Sequence, residues 1–281
     1  MRLTIICSRI GWEEKALLNE LRDRDVETEI LDIRKTVFSL TNGEGGLHSD
    51  LFLQRSVSYL RGLYTTAILE NLGYPVINSF ESSQICGNKL LTTLRFANAK
   101  IPTPRTLISF TKESSLRALD ELGYPSIIKP IIGGWGRLVA PLKDPQSAKA
   151  ILEDREELGN PFHKVFYLQE YIPKSRDIRA LVVGESVAAA MYRYDVPDDW
   201  RSSATRGARV ERCEVTPEIE QLSLRAAKAV GGEVLGVDLI EGSDGLLVNE
   251  INHTPQFRGI SSTGANIVGE IVDYLIERMR R

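Results

Sequence analysis

Cysteine, histidine and long apolar runs are all scarce in this chain. Its three cysteines, Cys7, Cys86 and Cys213, are odd in number and far apart. They argue against a disulfide framework, offer no zinc spacing, and fit a reducing cytoplasm. The three histidines, His48, His163 and His253, have no obvious nucleophile to serve. No GxSxG elbow appears either, so hydrolase chemistry is poorly supported. No apolar run approaches a membrane span, and the opening MRLTIICSRIGWEEK is too short in its apolar part for a signal peptide. The net charge is only −3, which gives no footprint for nucleic acid. CSRIGW, after the first apolar run, has one glycine and no dinucleotide fingerprint, and no Gly-Lys-Ser/Thr follows the later GGWG. Internal repeats and low-complexity segments are also missing.

What remains is an ordinary globular composition of 281 residues, 42% hydrophobic and 26% charged, enough for two or three domains. Strand-like and helix-like patterns alternate from Met1 to Asn78, which predicts a small parallel α/β unit. NKLLTTLRFANAK and KESSLRALDELG read as helices, TLISF and YPSIIKP as strands, and PQSAKAILEDREELG as a further helix. KVFYLQEYI, DIRALVVG and ESVAAAMYRY read as strands, followed by a polar loop over about Asp195 to Arg212. TPEIEQLSLRAAKAVGG is a helix signposted by Thr216 as N-cap, Pro217 at its first position and glycines beyond its end. VLGVDLIE and LLVNEIN form a hairpin around GSDG, and a last helix covers about Gly264 to Arg280. The expected division is residues 1–86, 87–168 and 169–281.

Several polar residues interrupt this apolar pattern. Asp238 lies inside GVDLI, and Glu250 and Asn252 lie two apart on the next strand, so they share a face. Together they suit magnesium, which takes carboxylates plus phosphate oxygens; the alternative is a hairpin edge facing water. Lys129 sits in SIIKP, too apolar a strand for a lysine without an anionic partner. Lys89 opens a helix and is either a second phosphate ligand or a solvated residue. GGWG, Gly133 to Gly136, is either a loop able to fold N–H donors over an anion or a hairpin turn. Gln169 and Glu170 end a strand and would expose backbone and acceptor groups of the kind an adenine amino group can use. Arg179 follows Asp177 by two, and Arg193, Arg201 and Arg206 add positive charge able to grip phosphate or carboxylate. His253 lies beside the metal motif.

Taken together, CGNKLLT, IIKPIIGGWGRLV, LQEYI, RDIR, GVDL and VNEINHTPQF resemble the ATP-grasp carboxylate–amine ligases of the RimK-like group, and within it the LysX and ArgX ligases. RSVSYLRGLY, Arg55 to Tyr64, is similar to the first-domain segment that meets substrate in those enzymes. The resemblance implies an ATP-grasp fold, α/β (α+β), behind an N-terminal parallel α/β pre-ATP-grasp domain. It implies that Lys89 and Lys129 hold ATP phosphates under a flap of Gly133, Gly134, Trp135 and Gly136. Gln169, Glu170, Tyr171 and Ile172 would form the adenine hinge. Asp238, Glu250 and Asn252 would bind two Mg2+ ions. Arg179, Arg193 and Arg206 would face the phosphates, the acyl phosphate or the amino acid. Substrate contacts would come from Arg55, Ser56, Ser58, Arg193, Ser203, Asn252, Thr254, Gln256, Phe257, Arg258 and Gly259.

The implied reaction joins the amino group of glutamate, α-aminoadipate or both to the C-terminal glutamate of LysW, a small acidic carrier protein, by way of an acyl phosphate. The setting would be lysine or arginine biosynthesis, and the implied assembly a homo-oligomer. Ser203 and Ala208 stand where the family usually has asparagine and glycine, and QFR, Gln256 to Arg258, replaces the usual EFK. The lost carboxylate bears on which amine is received. Gly259 followed by bulky Ile260 matches the family pattern that accompanies glutamate. Two other readings compete: a RimK-like glutamate ligase for a ribosomal-protein tail or a pterin or deazaflavin coenzyme, and a nucleotide-binding regulatory module without turnover.

Overall fold

The computed structural model describes residues 1–41, 46–195 and 209–281. The first unit is β1 (Arg2–Cys7), α1 (Trp12–Asp23), β2 (Glu27–Asp32), β3 (Leu51–Gln54), α2 (Tyr59–Asn71) and β4 (Val76–Ile77). Its strands form one sheet in the order β2-β1-β3-β4, and every pair is parallel, as the alternation predicts. Two helices follow, α3 (Phe80–Cys86) and α4 (Lys89–Asn98). Seven-residue α3 has too few turns for its period to be read, but Ser79 caps it by accepting from Ser82 N.

The central unit contains β5 (Thr106–Ser109), α5 (Lys112–Leu122), β6 (Ser126–Lys129), β7 (Ala140–Leu142), α6 (Pro145–Leu158) and β8 (Phe166–Glu170), with the sheet in the order β5-β8-β6-β7. β8 straddles the boundary expected at 168/169 and pairs wholly within this sheet. Ile128, Phe166 and Leu168 point into a core with Leu119, Ala148 and Leu152 of the two helices. Strand alternation therefore sends Ile127, Lys129, Tyr167 and Gln169 to the opposite face.

The C-terminal unit is β9 (Arg176–Val183), β10 (Ser186–Tyr194), β11 (Val210–Cys213), α7 (Pro217–Val230), β12 (Val234–Gly242), β13 (Gly245–Asn252), α8 (Arg258–Ser261) and α9 (Ile267–Arg280). The sheet runs β11-β10-β9-β12-β13 and is antiparallel throughout. β11 corrects the polar loop expected through Arg212: Val210 to Cys213 pairs with β10 although only its two ends are apolar. The α7 signals hold, since Thr216 Oγ1 accepts from Ile219 N at 3.3 Å and Gly231 takes a left-handed φ of 66°.

One face of this sheet is buried by α7, with Ile178, Ala180, Val182, Leu235, Val237 and Leu239 meeting Ile219, Leu222 and Ala226. The other face changes character along each strand. Leu181, Val183 and Val234 pack under α9 and against the first unit. Asp177, Arg179, Arg193 and Asp238 occupy the rest and line an open cleft toward the central sheet. Among the described residues, no helix is long and apolar enough to cross a membrane.

Candidate active site

A bulge in β13 sets up the floor of the cleft. Asp238 stands opposite Glu250, but the next rung pairs Leu239 with Val248, so Asn249 is an extra residue. Before the bulge, even-numbered Val248 faces the core; after it, odd-numbered Ile251 does. The parity switch leaves Asn249, Glu250 and Asn252 all on the cleft side. Strict alternation places Glu250 and Asn252 together, as expected, but puts Asn249 on the wrong face. The one available signal is that apolar Val248 and Ile251 are three apart rather than two.

Asp238 is gripped by two arginines. Arg179 makes a bidentate pair with it, Nη2 to Oδ2 at 2.9 Å, and Arg193 Nη2 reaches Oδ1 at 3.0 Å. Burial works to raise the Asp238 carboxyl, but Arg179 and Arg193 outweigh it and hold it below the usual carboxylate range. Arg193 also donates from Nε to Asp177 at 2.6 Å, and Lys174 lies 3.5 Å from Asp177 and 2.9 Å from Asp195. Asp177 and Lys174 thus extend the network beyond the residues singled out by sequence. Gly236 makes room for it, because a Cβ there would lie 2.9 Å from Arg179 Nη1.

The roof comes from the central sheet. Lys129 is buried, and its Nζ donates to Gln169 Oε1 at 2.5 Å and to Asn249 Oδ1 at 2.9 Å. Burial pushes this ammonium down to about 8, with Glu250 opposing and Lys89 adding to the shift. The Gln169 side chain is therefore turned inward to Lys129, Thr106 and Tyr167 rather than out to a nucleotide base. Glu170 accepts from Arg105 N at 2.6 Å, and Tyr171 and Ile172 continue along the cleft wall. Lys89 donates to Gly133 O at 2.8 Å and lies 3.4 Å from Glu250 Oε1. Asn88 caps its helix and forms an isolated bridge to Ile132, which ties the start of the glycine loop to α4. Gly133, Gly134, Trp135 and Gly136 line the cleft mouth; Trp135 and Gly136 have left-handed φ, at 66° and 65°.

The fit to a divalent cation rests on the donor set. Asp238 and Glu250 face each other across the hairpin, with Asn252 two residues along. The Asn252 amide nitrogen is buried without a hydrogen-bond partner, so no bond to it fixes which of the two amide atoms faces which way. Among the described residues no cluster of three His, Cys, Asp or Glu side chains is set up as a metal cage. Two carboxylates and an amide match magnesium, which draws its other ligands from phosphate and water. A cation here would share Asp238 with the two arginines.

Most residues expected to bind substrate lie elsewhere. Arg193 and Asn252 are in the cleft, whereas Arg55 and Phe257 sit at the seam between the first unit and the segment after β13. Arg55 is buried: it donates to Glu14 at 3.1 Å and to Pro255 O at 2.7 Å, and its guanidinium lies 5.4 Å from the Phe257 ring centre. Phe257 is fully packed, and a Cβ on Gly259 would meet Met191 Sδ at 3.0 Å. Ser56 is buried and its Oγ accepts from Ser58 N at 3.3 Å. Thr254 bonds His253 Nδ1 at 3.1 Å, while Gln256 and Arg258 are exposed beside the seam. Burial and nearby Arg55 push the His253 imidazole down to about 4. Arg201, Ser203, Arg206 and Ala208 lie outside the described residues.

Comparison with known proteins accords with this geometry. Residues 86–275 match the RimK-like ATP-grasp domain, and residues 3–85 match the LysX preATP-grasp domain. The chain is 34% identical to the glutamate–LysW ligase ArgX of Sulfurisphaera tokodaii, over 99% of both chains. It is 35% identical to the α-aminoadipate–LysW ligase LysX of Saccharolobus solfataricus, over 88% of this chain and 90% of that one. A RimK-domain ATP-grasp protein from Sphaerobacter thermophilus superposes with a TM-score of 0.81 at 23% identity, covering 98% of this chain and 99% of that one. The chain belongs to the RimK-like ATP-grasp ligases, with a LysX-type pre-ATP-grasp domain in front.

Proposed function

We propose that the protein uses ATP to join the amino group of glutamate, α-aminoadipate or both to the C-terminal glutamate of a small acidic LysW-like carrier. The observation that carries this reading is the cleft itself: Lys129 and Lys89 stand over Asp238, Glu250 and Asn252, with Arg179 and Arg193 alongside. A carboxylate is a poor acyl donor because oxide leaves badly. Attack of the carrier's carboxylate oxygen on the γ-phosphorus makes an acyl phosphate and releases ADP. The amine then attacks the acyl carbon, and phosphate leaves with the C–O bond that breaks.

Lys89 and Lys129 orient the transferring phosphoryl group and spread its charge. Arg179 and Arg193 face the developing acyl phosphate. The loop from Gly133 to Gly136 closes over the site and keeps water from the intermediate. Asp238, Glu250 and Asn252 would hold Mg2+, two ions by the family resemblance, and bound magnesium would neutralise phosphate charge. Gln169 to Ile172 lie along the adenine, with the Gln169 side chain acting on Lys129. No side-chain nucleophile is required, which fits a chain with so few candidates.

The test is to weigh the carrier after incubation with protein, ATP, magnesium and each amino acid. Gain of one amino-acid residue, with ADP released, is the expected result. Gain only on a ribosomal-protein tail or a pterin or deazaflavin coenzyme would move the acceptor. ATP binding without ADP release on any of these substrates would leave a binding module.

A further inference from the structure

We propose that Asn249 is a positioning residue of the ligase: the bulge in β13 turns its amide oxygen onto the Lys129 ammonium, which Asn249 and Gln169 hold with two neutral acceptors so that its charge stays available to the nucleotide's phosphates. The inference rests on the proposed nucleotide role of the cleft and assigns a role to a residue that strict alternation would put in the core. Three observations carry it. The bond is 2.9 Å long, and the acceptor must be the amide oxygen because an ammonium only donates. The second acceptor, Gln169 Oε1, is also an amide and is locked from behind by Thr106 and Tyr167. Lys129 belongs to the central sheet and Asn249 to the C-terminal sheet, so their bond spans the two walls of the cleft.

The chemistry explains why amides suit both positions. A carboxylate in direct contact with Lys129 would hold it as firmly but would cancel its charge and repel phosphate. A hydrocarbon would leave the ammonium tethered on one side only. Two amides direct two of its N–H donors, and among the described residues no third acceptor takes the remaining one. Asn249 is only half-buried, so substitutions there do not open a cavity in the core.

The probe is a non-hydrolysable ATP analogue titrated calorimetrically into the full chain, with the KM for ATP and for the amino acid measured in parallel. Asn249→Leu should raise the nucleotide Kd roughly tenfold or more, the scale of a hydrogen bond to a charged group. Its amino-acid KM should stay within about twofold of wild type. Asn249→Asp keeps the size and the hydrogen bond, so a purely structural role predicts unchanged affinity; the proposed role predicts a loss at least as large as that of Asn249→Leu. The Asn249→Leu loss should persist with magnesium removed. Wild-type affinity in Asn249→Asp, or a loss that vanishes without magnesium, would overturn the proposal. Lys129→Met separates the two claims: if it leaves nucleotide binding intact, the nucleotide reading of the cleft fails; if it abolishes binding while both Asn249 variants bind normally, only the role of Asn249 fails.

Discussion

Lys129 and Arg55 are both buried cations, 7% and 6% exposed, yet their surroundings differ in kind. Arg55 has a carboxylate, a carbonyl and an aromatic face, so its charge is answered on every side. Lys129 has two neutral amides, and the nearest anion acts on it only from a distance. A charge matched inside the protein serves the fold, because removing either partner strands the other in low dielectric. A charge held by neutral groups at the edge of a cleft is costly to the apo protein and useful only when an anion arrives. The seam and the cleft can thus be told apart by how their cations are answered, even though the family resemblance assigns substrate contacts to both.

The largest break in this comparison should come from Glu250→Gln. It removes half of the carboxylate pair facing the roof lysines while keeping side-chain size. Ligation, followed as ADP release, should fall at least ~100-fold, the scale for losing one electrostatic contact to a transferring group. Thermal unfolding of the nucleotide-free variant should stay near wild type, and full activity would remove Glu250 from the metal set. Arg55→Ala should do the reverse. It strands Glu14, which is 5% exposed, and should cost about 3 kcal/mol in denaturant unfolding while leaving nucleotide affinity unchanged. A stable Arg55→Ala protein with weakened substrate binding would return Arg55 to the substrate-contact role its sequence context suggests.

Much of this was legible from residue patterns because the patterns have one physical cause. The parallel sheet follows from apolar runs such as RLTIIC spaced by helices, since parallel strands need crossovers. Asp238 and Lys129 stand out because a charge in the middle of VLGVDLIE or SIIK has no bland explanation once the strand is buried. The bulge is less legible: one extra backbone residue reverses the face of everything after it, and no residue type announces it. β11 is hidden for a related reason, because the side chains of Glu211 and Arg212 are exposed and only backbone pairing makes VERC a strand. The seam misleads in the other direction. Arg55 and Phe257 look like ligand contacts in a linear motif, but they lie 202 positions apart and answer each other across the fold.

The smallest effect, and the finest test of the contrast, is in the pH dependence. The Lys129 ammonium is shifted from 10.5 to about 8, while Glu250, Lys89, Asp238 and Lys174 all bear on it. Raising the pH through about 8 should discharge Lys129 and weaken nucleotide binding by up to roughly tenfold, with a plateau once the charge is gone. Stability of the nucleotide-free protein should move the opposite way. Between about 8 and 10.5 the unfolded chain keeps a proton that the native state has released, so this group makes stability rise with pH across that window. Below it both states carry the charge, and the cost of burying it stays constant at about 3 kcal/mol. Each trend is read as the difference between wild type and Lys129→Met, which cancels the other groups that titrate there. Arg55 makes its contacts at the seam rather than in the cleft, so Arg55→Ala should leave both trends in place. If affinity and stability instead held level from about 8 to 10.5 and fell together only above it, Lys129 would be answered by a carboxylate as Arg55 is, and the distinction between cleft and seam would collapse.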